Sequence, residues 1–141
     1  MSGVAIIREL LVNYPPISEL VPAARIRGGV LPQGIDLPAI SITTVYASEF
    51  KTIARRRSVK QTRERVQVTV LAKADDAGAG YAQMKTLLKA CALGAGVHTG
   101  VVKGYDVKSV MSDGENPEIP PGDDRIYEQS RDFMVTFVEA N

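Results

Sequence analysis

The hydrophobic period of this chain changes near residue 72, from the two-residue repeat of a strand to the three-to-four-residue repeat of a helix. Val66, Val68 and Val70 alternate with polar residues, as in a half-buried strand. Asp75 and Asp76, which follow, are residues that cap helix N-termini. Apolar residues then recur at helical spacing, at Tyr81, Met84, Leu88 and Cys91. Gly94 comes next, where a left-handed helix cap favours glycine. This strand and helix predict the middle of a two-layer domain.

Helices are also predicted at the N-terminus. Residues 3–14 place their apolar side chains on one helical stripe. Pro15 and Pro16 are expected to end this helix, because proline cannot continue a helix interior. A short second helical turn is predicted over 18–21.

Three more strands are predicted from alternating apolar residues, over 39–46, 105–112 and 130–139, with a weaker pattern over 97–102. Both faces of 130–139 are largely apolar, so this strand is expected to be central in the sheet. The predicted fold class is therefore α+β, with a mainly antiparallel sheet of about four strands packed against two main helices.

Length and composition predict one soluble domain over residues 1–141, because a chain of this length can bury a sizeable core. The formal net charge is +1, so no overall field selects nucleic acid as a partner. No apolar run approaches the ~20 residues of a membrane span, and no membrane partner is expected. Arg8 and Glu9 interrupt the first apolar segment, which does not resemble a signal peptide. The single cysteine excludes an internal disulfide and fits folding in a reducing cytosol.

The sequence lacks the residue pairs that catalysis or metal binding would need. His98 is the only histidine, so a metal site built from several histidines cannot form. No second histidine is available for a Ser/His or Cys/His pair. Cys91 lies on the apolar stripe of the predicted helix, where a free cysteine behaves as a small hydrophobic residue. Gly94, Gly96 and Gly100 follow a helix instead of joining a strand to one, so they do not form a dinucleotide loop. We therefore expect no enzymatic activity, no cofactor and no metal.

Several short segments together resemble the tail-completion, or tail-terminator, proteins of long-tailed bacteriophages. The first is the run Arg25-Ile26, Gly29, Pro32-Gln33-Gly34 and Leu37-Pro38 that leads into the strand at Ile40. The second is the R-x-x-V-Q-V element, formed here by Arg63, Val66, Gln67 and Val68. An N-terminal helix with a short second helix, and a closing aromatic strand after an acidic loop, also agree. The resemblance covers most of the chain, from Val4 to Val138.

The resemblance implies a non-enzymatic protein of the virion. Members of this family form a ring, usually a hexamer, on the head-proximal end of the tail tube. The ring stops tube growth and provides the surface to which the head is joined. For this chain the resemblance implies assembly in the host cytoplasm. It also implies contacts with other copies of the chain, the major tail tube protein and a head-completion protein, with DNA passing through the lumen.

The near-neutral net charge conceals two regions of opposite sign. The segment from Glu49 to Arg65 contains seven basic and two acidic residues. The segment from Asp106 to Glu128 contains seven acidic and two basic residues. Both regions overlap segments predicted to be mobile loops, 47–62 and 113–129. The basic candidates for an interface or for the lumen are Lys51, Arg55, Arg56, Arg57 and Lys60. The acidic interface candidates are Asp113, Glu115, Glu118, Asp123 and Asp124.

Three interpretations of these charges stay open at the level of sequence. The two loops are simply solvated, since exposed ion pairs contribute only ~0–1 kcal/mol. Alternatively, the basic loop of one subunit meets the acidic loop of the next around a ring. In the third interpretation the arginines contact DNA in the tail lumen, where phosphate contacts need no sequence readout. A nucleic-acid-binding module that uses Arg55–Arg57 is the alternative function.

Overall fold

The computed structural model of the protein describes residues 2–51, 59–74, 78–95 and 97–140. Helix α1 spans Ser2–Val12, the short helix α2 spans Pro15–Ser18, and a 3-10 turn covers Ala23–Arg25. The longest helix, α3, spans Ala79–Ala95. Pro15 and Pro16 form the first turn of α2, where a missing N–H leaves no bond unmade. The sequence predicted that the second helical turn begins at residue 18, whereas α2 begins at Pro15.

The strands form one sheet in the order β1-β2-β3-β6-β5-β4. Only β1 and β2 are parallel among the neighbouring pairs of the described residues. The sheet is curled into a half-barrel. Its strands are β1 Ile26–Gly28, β2 Ala39–Lys51, β3 Val59–Lys73, β4 Val97–Val102, β5 Tyr105–Glu115 and β6 Ile126–Ala140.

The predicted fold class, an antiparallel sheet of about four strands with two main helices, is wrong. The described residues form a mixed sheet of six strands and three α-helices, and sheet predominates. β1 has three residues and α2 has four, so neither is long enough to show a hydrophobic period. β1 also lies in a segment rich in glycine and proline, which predicts a loop.

Strands extend into both segments that were predicted to be loops. β2 and β3 pair until Lys51 lies opposite Lys60, so the described parts of 47–62 are the arms of a hairpin. Residues 52–58 lie outside the described residues, and their mobility stays a prediction. β5 continues to Glu115 and β6 begins at Ile126, which leaves 116–125 as the connection between them. Both segments are rich in polar residues, so no apolar alternation marks these strand ends in the sequence.

The central position predicted for the closing strand is confirmed. β6 lies between β3 and β5. Phe133, Val135 and Phe137 point into the core and are at most 1% exposed. They belong to one hydrophobic cluster with residues of all three helices, including Ile7, Leu11, Ile17, Met84, Leu87 and Leu88.

The apolar stripe predicted for α3 is confirmed for three of its four residues. Met84, Leu88 and Cys91 are buried, whereas Tyr81 is 38% exposed. Gly94 does not cap the helix but lies within it. A Cβ atom there would approach Tyr14 Cδ2 to 2.7 Å, so glycine allows helix α3 to lie close to this tyrosine. The predicted caps Asp75 and Asp76 lie outside the described residues.

One carboxylate is buried under helix α1. Glu64, on β3, is 2% exposed. Its Oε1 accepts a hydrogen bond from the Gly3 amide at 3.2 Å, and its Oε2 accepts one from the Thr44 hydroxyl at 2.7 Å. An acceptor at a helix N-terminus satisfies an amide that has no partner within the helix. Glu64 thereby fixes the start of α1 to the β2–β3 hairpin.

Candidate functional site

Two of the basic candidates, Lys51 and Lys60, lie at one end of the sheet, and three of the acidic candidates, Glu118, Asp123 and Asp124, lie near the other. At one end Lys60 lies opposite Glu139, near the end of β6, and at the other Lys73 lies opposite Ile126, its first residue. These two positions of β6 are thirteen residue steps apart, which span about 43 Å at ~3.3 Å per residue. Lys51 and Lys60 therefore mark one end of the molecule, which we call the basic hairpin end. Arg55, Arg56 and Arg57 follow Lys51 in sequence and lie outside the described residues.

At the other end, the connection between β5 and β6 lies alongside the first residues of β6. The amide of Asn116 donates to the Ser130 carbonyl at 2.9 Å, and that of Ile119 donates to the Glu128 carbonyl at 2.9 Å. We call residues 116–125 the acidic connection. It contains Glu118, Asp123 and Asp124, whereas Asp113 and Glu115 belong to β5.

Asp113 is paired within the subunit. Arg65 Nη2 lies 2.5 Å from Asp113 Oδ2, and Arg65 Nη1 donates to Asp132 Oδ2 at 3.1 Å. The hydrogen bond to Asp132 is the main reason that the pKa of Arg65 is raised above its ordinary value. Asp132 also accepts from Gln67 at 3.4 Å and from Asn116 at 2.9 Å. This network joins β3, β6 and β5 across the face of the sheet away from the helices.

Glu115 is paired with its neighbour on β6. Arg131 Nη2 lies 2.6 Å from Glu115 Oε1, and Arg131 Nη1 donates to the Ser112 hydroxyl at 2.9 Å. The Arg131 side chain is only 14% exposed. The pair holds the end of β5 against β6 and leaves little of the arginine for an outside partner.

Glu118 fixes the acidic connection to helix α3. Lys85 Nζ lies 2.5 Å from Glu118 Oε1, and the Tyr81 hydroxyl donates to the same oxygen at 2.6 Å. The hydrogen bonds from Lys85, first, and Tyr81 lower the pKa of Glu118 below its ordinary 4.5. The same contacts raise the pKa values of Lys85 and Tyr81.

Asp123 is the candidate carboxylate that is most available to an outside partner. It is exposed and makes no hydrogen bond or ion pair with the rest of the described chain. Its neighbour Asp124 accepts a hydrogen bond from the Ile126 amide at 3.2 Å. A cleft of about 460 Å³ lies beside both aspartates, lined also by Leu71, Ile119, Pro120 and Glu128.

A second group of basic residues, which sequence reasoning missed, lies where α1 meets β1. This β1 arginine cluster consists of Arg8, Arg25 and Arg27. Arg8 Nε donates to the Ile26 carbonyl at 2.7 Å, and Arg8 Nη2 donates to the Ala23 carbonyl at 3.0 Å. Arg27 is exposed, and Arg25 Nε is buried without a hydrogen-bond partner. The alternation R-I-R around the buried Ile26 was the available signal, but Arg8 is distant in sequence.

A cleft of about 350 Å³ opens between Arg8 and Arg27, two of these arginines, and is lined also by Ala23, Ala24, Ile26 and Gly28. None of the three arginines forms an ion pair within the described part of the chain. The cluster is therefore a positively charged concave surface whose charge is not neutralised by the described residues. Arginine is suited to carboxylate or phosphate partners, which it binds through two parallel hydrogen bonds.

Three further features concern thiol reactivity, metal binding and membrane insertion. Burial raises the pKa of the Cys91 thiol to about 12. Among the described residues no group of three or more histidine, cysteine or acidic side chains could hold a metal ion. No described helix is long and apolar enough to cross a membrane.

Comparison with known proteins relates this chain to others through its fold. No family model matches the sequence, and no curated protein matches it. Among solved structures, the chain matches one from the virion of a native gene transfer agent particle. The TM-score is 0.67 over 98% of this chain and 97% of that chain, at 11% sequence identity. The two chains therefore share a fold over their whole lengths.

Proposed function

We propose that this chain is a structural protein of a phage-like virion and acts as a tail terminator. In this role it forms a ring on the head-proximal end of the tail tube, stops polymerisation of the tube and provides the surface for head joining. It does this by binding and not by catalysis. Its partners are other copies of itself, the major tail tube protein and a head-completion protein, with DNA passing through the lumen.

The observation that carries the proposal is the fold shared, end to end, with a chain of a gene transfer agent virion. The match covers 98% of one chain and 97% of the other, so the shared fold includes both ends of the strand order and all three helices described above. At 11% identity the fold alone does not specify the position in the virion. The resemblance of the segments around Pro32-Gln33-Gly34 and Val66-Gln67-Val68 to tail-completion proteins supports the head-proximal end of the tail.

The placement of charge supports a role in assembly. The basic hairpin end and the acidic connection lie about 30 Å or more apart along β6, since Lys60 is opposite Glu139 and Asn116 bonds to Ser130. Exposed charges are screened beyond about 10 Å at 0.1 M salt. The two regions of one subunit therefore do not neutralise each other, and each is available to another molecule. We assign the basic hairpin end to contact with the tail tube or a neighbouring subunit.

The experiment reverses the charge of Arg55, Arg56 and Arg57 together, to glutamate, and measures the lengths of tail tubes by electron microscopy. If the basic hairpin end contacts protein, the variant fails to cap tubes, which then grow beyond their normal length. Reversal of Asp123 and Asp124 to lysine, which leaves the paired Asp113 and Glu115 in place, should partly restore capping if the two regions meet between subunits.

The matched control reverses Lys73, Lys89 and Lys103, three exposed cations elsewhere on the chain, and should leave tube length normal. Normal tube lengths with the reversed arginines, together with loss of DNA retention, would assign these arginines to DNA in the lumen. If wild-type protein itself did not limit tube length, the tail-terminator proposal would be wrong.

A further inference from the structure

We infer that the β1 arginine cluster is the docking surface for the acidic connection of a second copy of this chain. The inference rests on the proposed ring and identifies its subunit contact. It assigns to the acidic connection a partner other than the basic hairpin end, which the sequence alone had suggested.

Backbone carbonyl groups position the arginine side of this contact. The two carbonyl bonds of Arg8, at 2.7 and 3.0 Å, hold its guanidinium at the wall of the cleft. Arg27 is exposed at the rim. Arg25 lies in sequence between two lining residues, Ala24 and Ile26, and adds positive charge beside the cleft. A carboxylate that enters the cleft would meet the guanidinium groups of Arg8 and Arg27, neither of which has an ion pair within the described chain.

The acidic side offers a carboxylate without a partner. Asp113, Glu115 and Glu118 already bind cations of their own subunit. Asp123 has no such partner in the described chain and lies at the turn where the Arg125 amide donates to the Gly122 carbonyl at 3.0 Å. Ile119, in the same connection, is 53% exposed and adds an apolar contact. Glu118 anchors the connection to α3, so that Asp123 is presented by an ordered segment.

β1 is one edge of the sheet, and the acidic connection flanks β6 on the side away from β1 and begins at nearly the same level along the strands. Ile26 of β1 is aligned with Ile40, Ile40 with Val70, and Val70 with Gln129 of β6. Gln129 Nε2 in turn donates to the carbonyl of Asn116, the first residue of the acidic connection, at 2.9 Å. At this level the sheet begins at β1 and ends at the acidic connection.

This arrangement suits a closed ring. A head-to-tail contact closes only if each subunit is rotated with no translation along the ring axis. If the ring axis runs parallel to the strands, two surfaces at nearly the same level meet with little translation. The basic hairpin end lies about 33 Å from that level along β6, ten residues at ~3.3 Å per residue, so its pairing with the acidic connection around the same axis would need a large translation.

Disulfide cross-linking tests the contact. The variants Arg27→Cys and Asp123→Cys are prepared separately, mixed in equal amounts and oxidised mildly, in solution and on capped tubes. Cys91 is buried, and burial raises the pKa of its thiol to about 12, so we expect it to form no disulfide under these conditions. We expect a cross-linked dimer in the mixture, well above the amount from either variant alone. The matched control replaces Arg27→Cys with Arg63→Cys, an exposed arginine in the hairpin half of β3.

A charge exchange gives a second measurement. Arg27→Asp should weaken self-association roughly tenfold, and addition of Asp123→Arg to the same chain should restore it. Thermal melting of each variant establishes that it is folded.

Equal or stronger cross-linking with Arg63→Cys would overturn the inference in favour of the hairpin. Absence of cross-linking in protein that still caps tubes would overturn the inference and leave the proposed function intact. Cross-linking in protein that fails to limit tube length would support the inference and contradict the proposed function. If Arg27→Asp instead lowered affinity for a duplex oligonucleotide, with no effect on self-association, the cluster would be a phosphate site.

Discussion

The two faces of β3 and β6 differ in what they bury, although alternate residues of the same two strands form both faces. On the face towards the helices, Val66 lies opposite Phe133, and both are fully buried. One position along, on the other face, Arg65 and Asp132 form the charged network that reaches Asp113. Burial of apolar area dominates stability, whereas partly exposed ion pairs contribute little. Charges on the outer face can therefore change with assembly partners at small cost to the fold.

The largest effect is expected on the helix-facing side. Phe133→Ala should lower the free energy of unfolding by about 3–5 kcal/mol, because it removes a fully buried aromatic ring and leaves a cavity. Met134→Ala, at the next position on the half-buried outer face, is the matched control and should cost much less. Urea unfolding of both variants measures the difference. Similar losses at the two positions would contradict the assignment of stability to one face.

A smaller effect is expected at Glu64, a buried carboxylate on the helix-facing side. Glu64→Ala should cost about 1–3 kcal/mol, because the Gly3 amide and the Thr44 hydroxyl lose a buried acceptor. Glu64→Gln keeps a carbonyl for Gly3, and its amide can donate to Thr44, so it should cost less than alanine. Denaturant unfolding and hydrogen exchange at the start of α1 measure both. Equal losses would show that the negative charge at the helix N-terminus matters more than the hydrogen bonds.

The smallest effect is expected at the contact between Glu118 and α3. Because the folded-state pKa of Glu118 is lowered, its stabilising contribution is complete above its ordinary 4.5 and is lost as the pH falls through the folded value. The raised pKa of Lys85 acts in the opposite sense: its contribution is complete below 10.5 and is lost at higher pH. Lys85→Met should move the Glu118 pKa back towards 4.5, and Tyr81→Phe should move it less. Carbon-detected titration of the carboxyl group measures this, and an unchanged pKa in Lys85→Met would refute the contact.

The sequence predicted best where a segment was long and its apolar residues were regular. Val66, Val68 and Val70 are all fully buried, as their alternation predicted, and the strand with Phe133 is central. The prediction failed for β1 and α2, which are too short to show a period. It also failed for the ends of β2, β3 and β5, where polar side chains lie on a strand because its backbone pairs with a neighbour.

The candidate charges were visible in the sequence, but their partners were not. Asp113, Glu115 and Glu118 meet cations that are 48, 16 and 33 positions away in the chain, at Arg65, Arg131 and Lys85. The β1 arginine cluster likewise brings Arg8 to Arg25 and Arg27 through hydrogen bonds to backbone carbonyls. No local pattern marks such contacts, because they depend on strand register.

The sequence by itself determined the sign and quantity of charge in each region, the central apolar strand and the long helix, because these follow from residue type and local period. Only the tertiary structure decided which charges are already paired, that the basic hairpin end and the acidic connection lie at opposite ends of β6, and that the β1 arginines share a level with Asn116. The physical reason is that backbone hydrogen bonds between strands join residues that are distant in the chain, and the register they impose places the side chains.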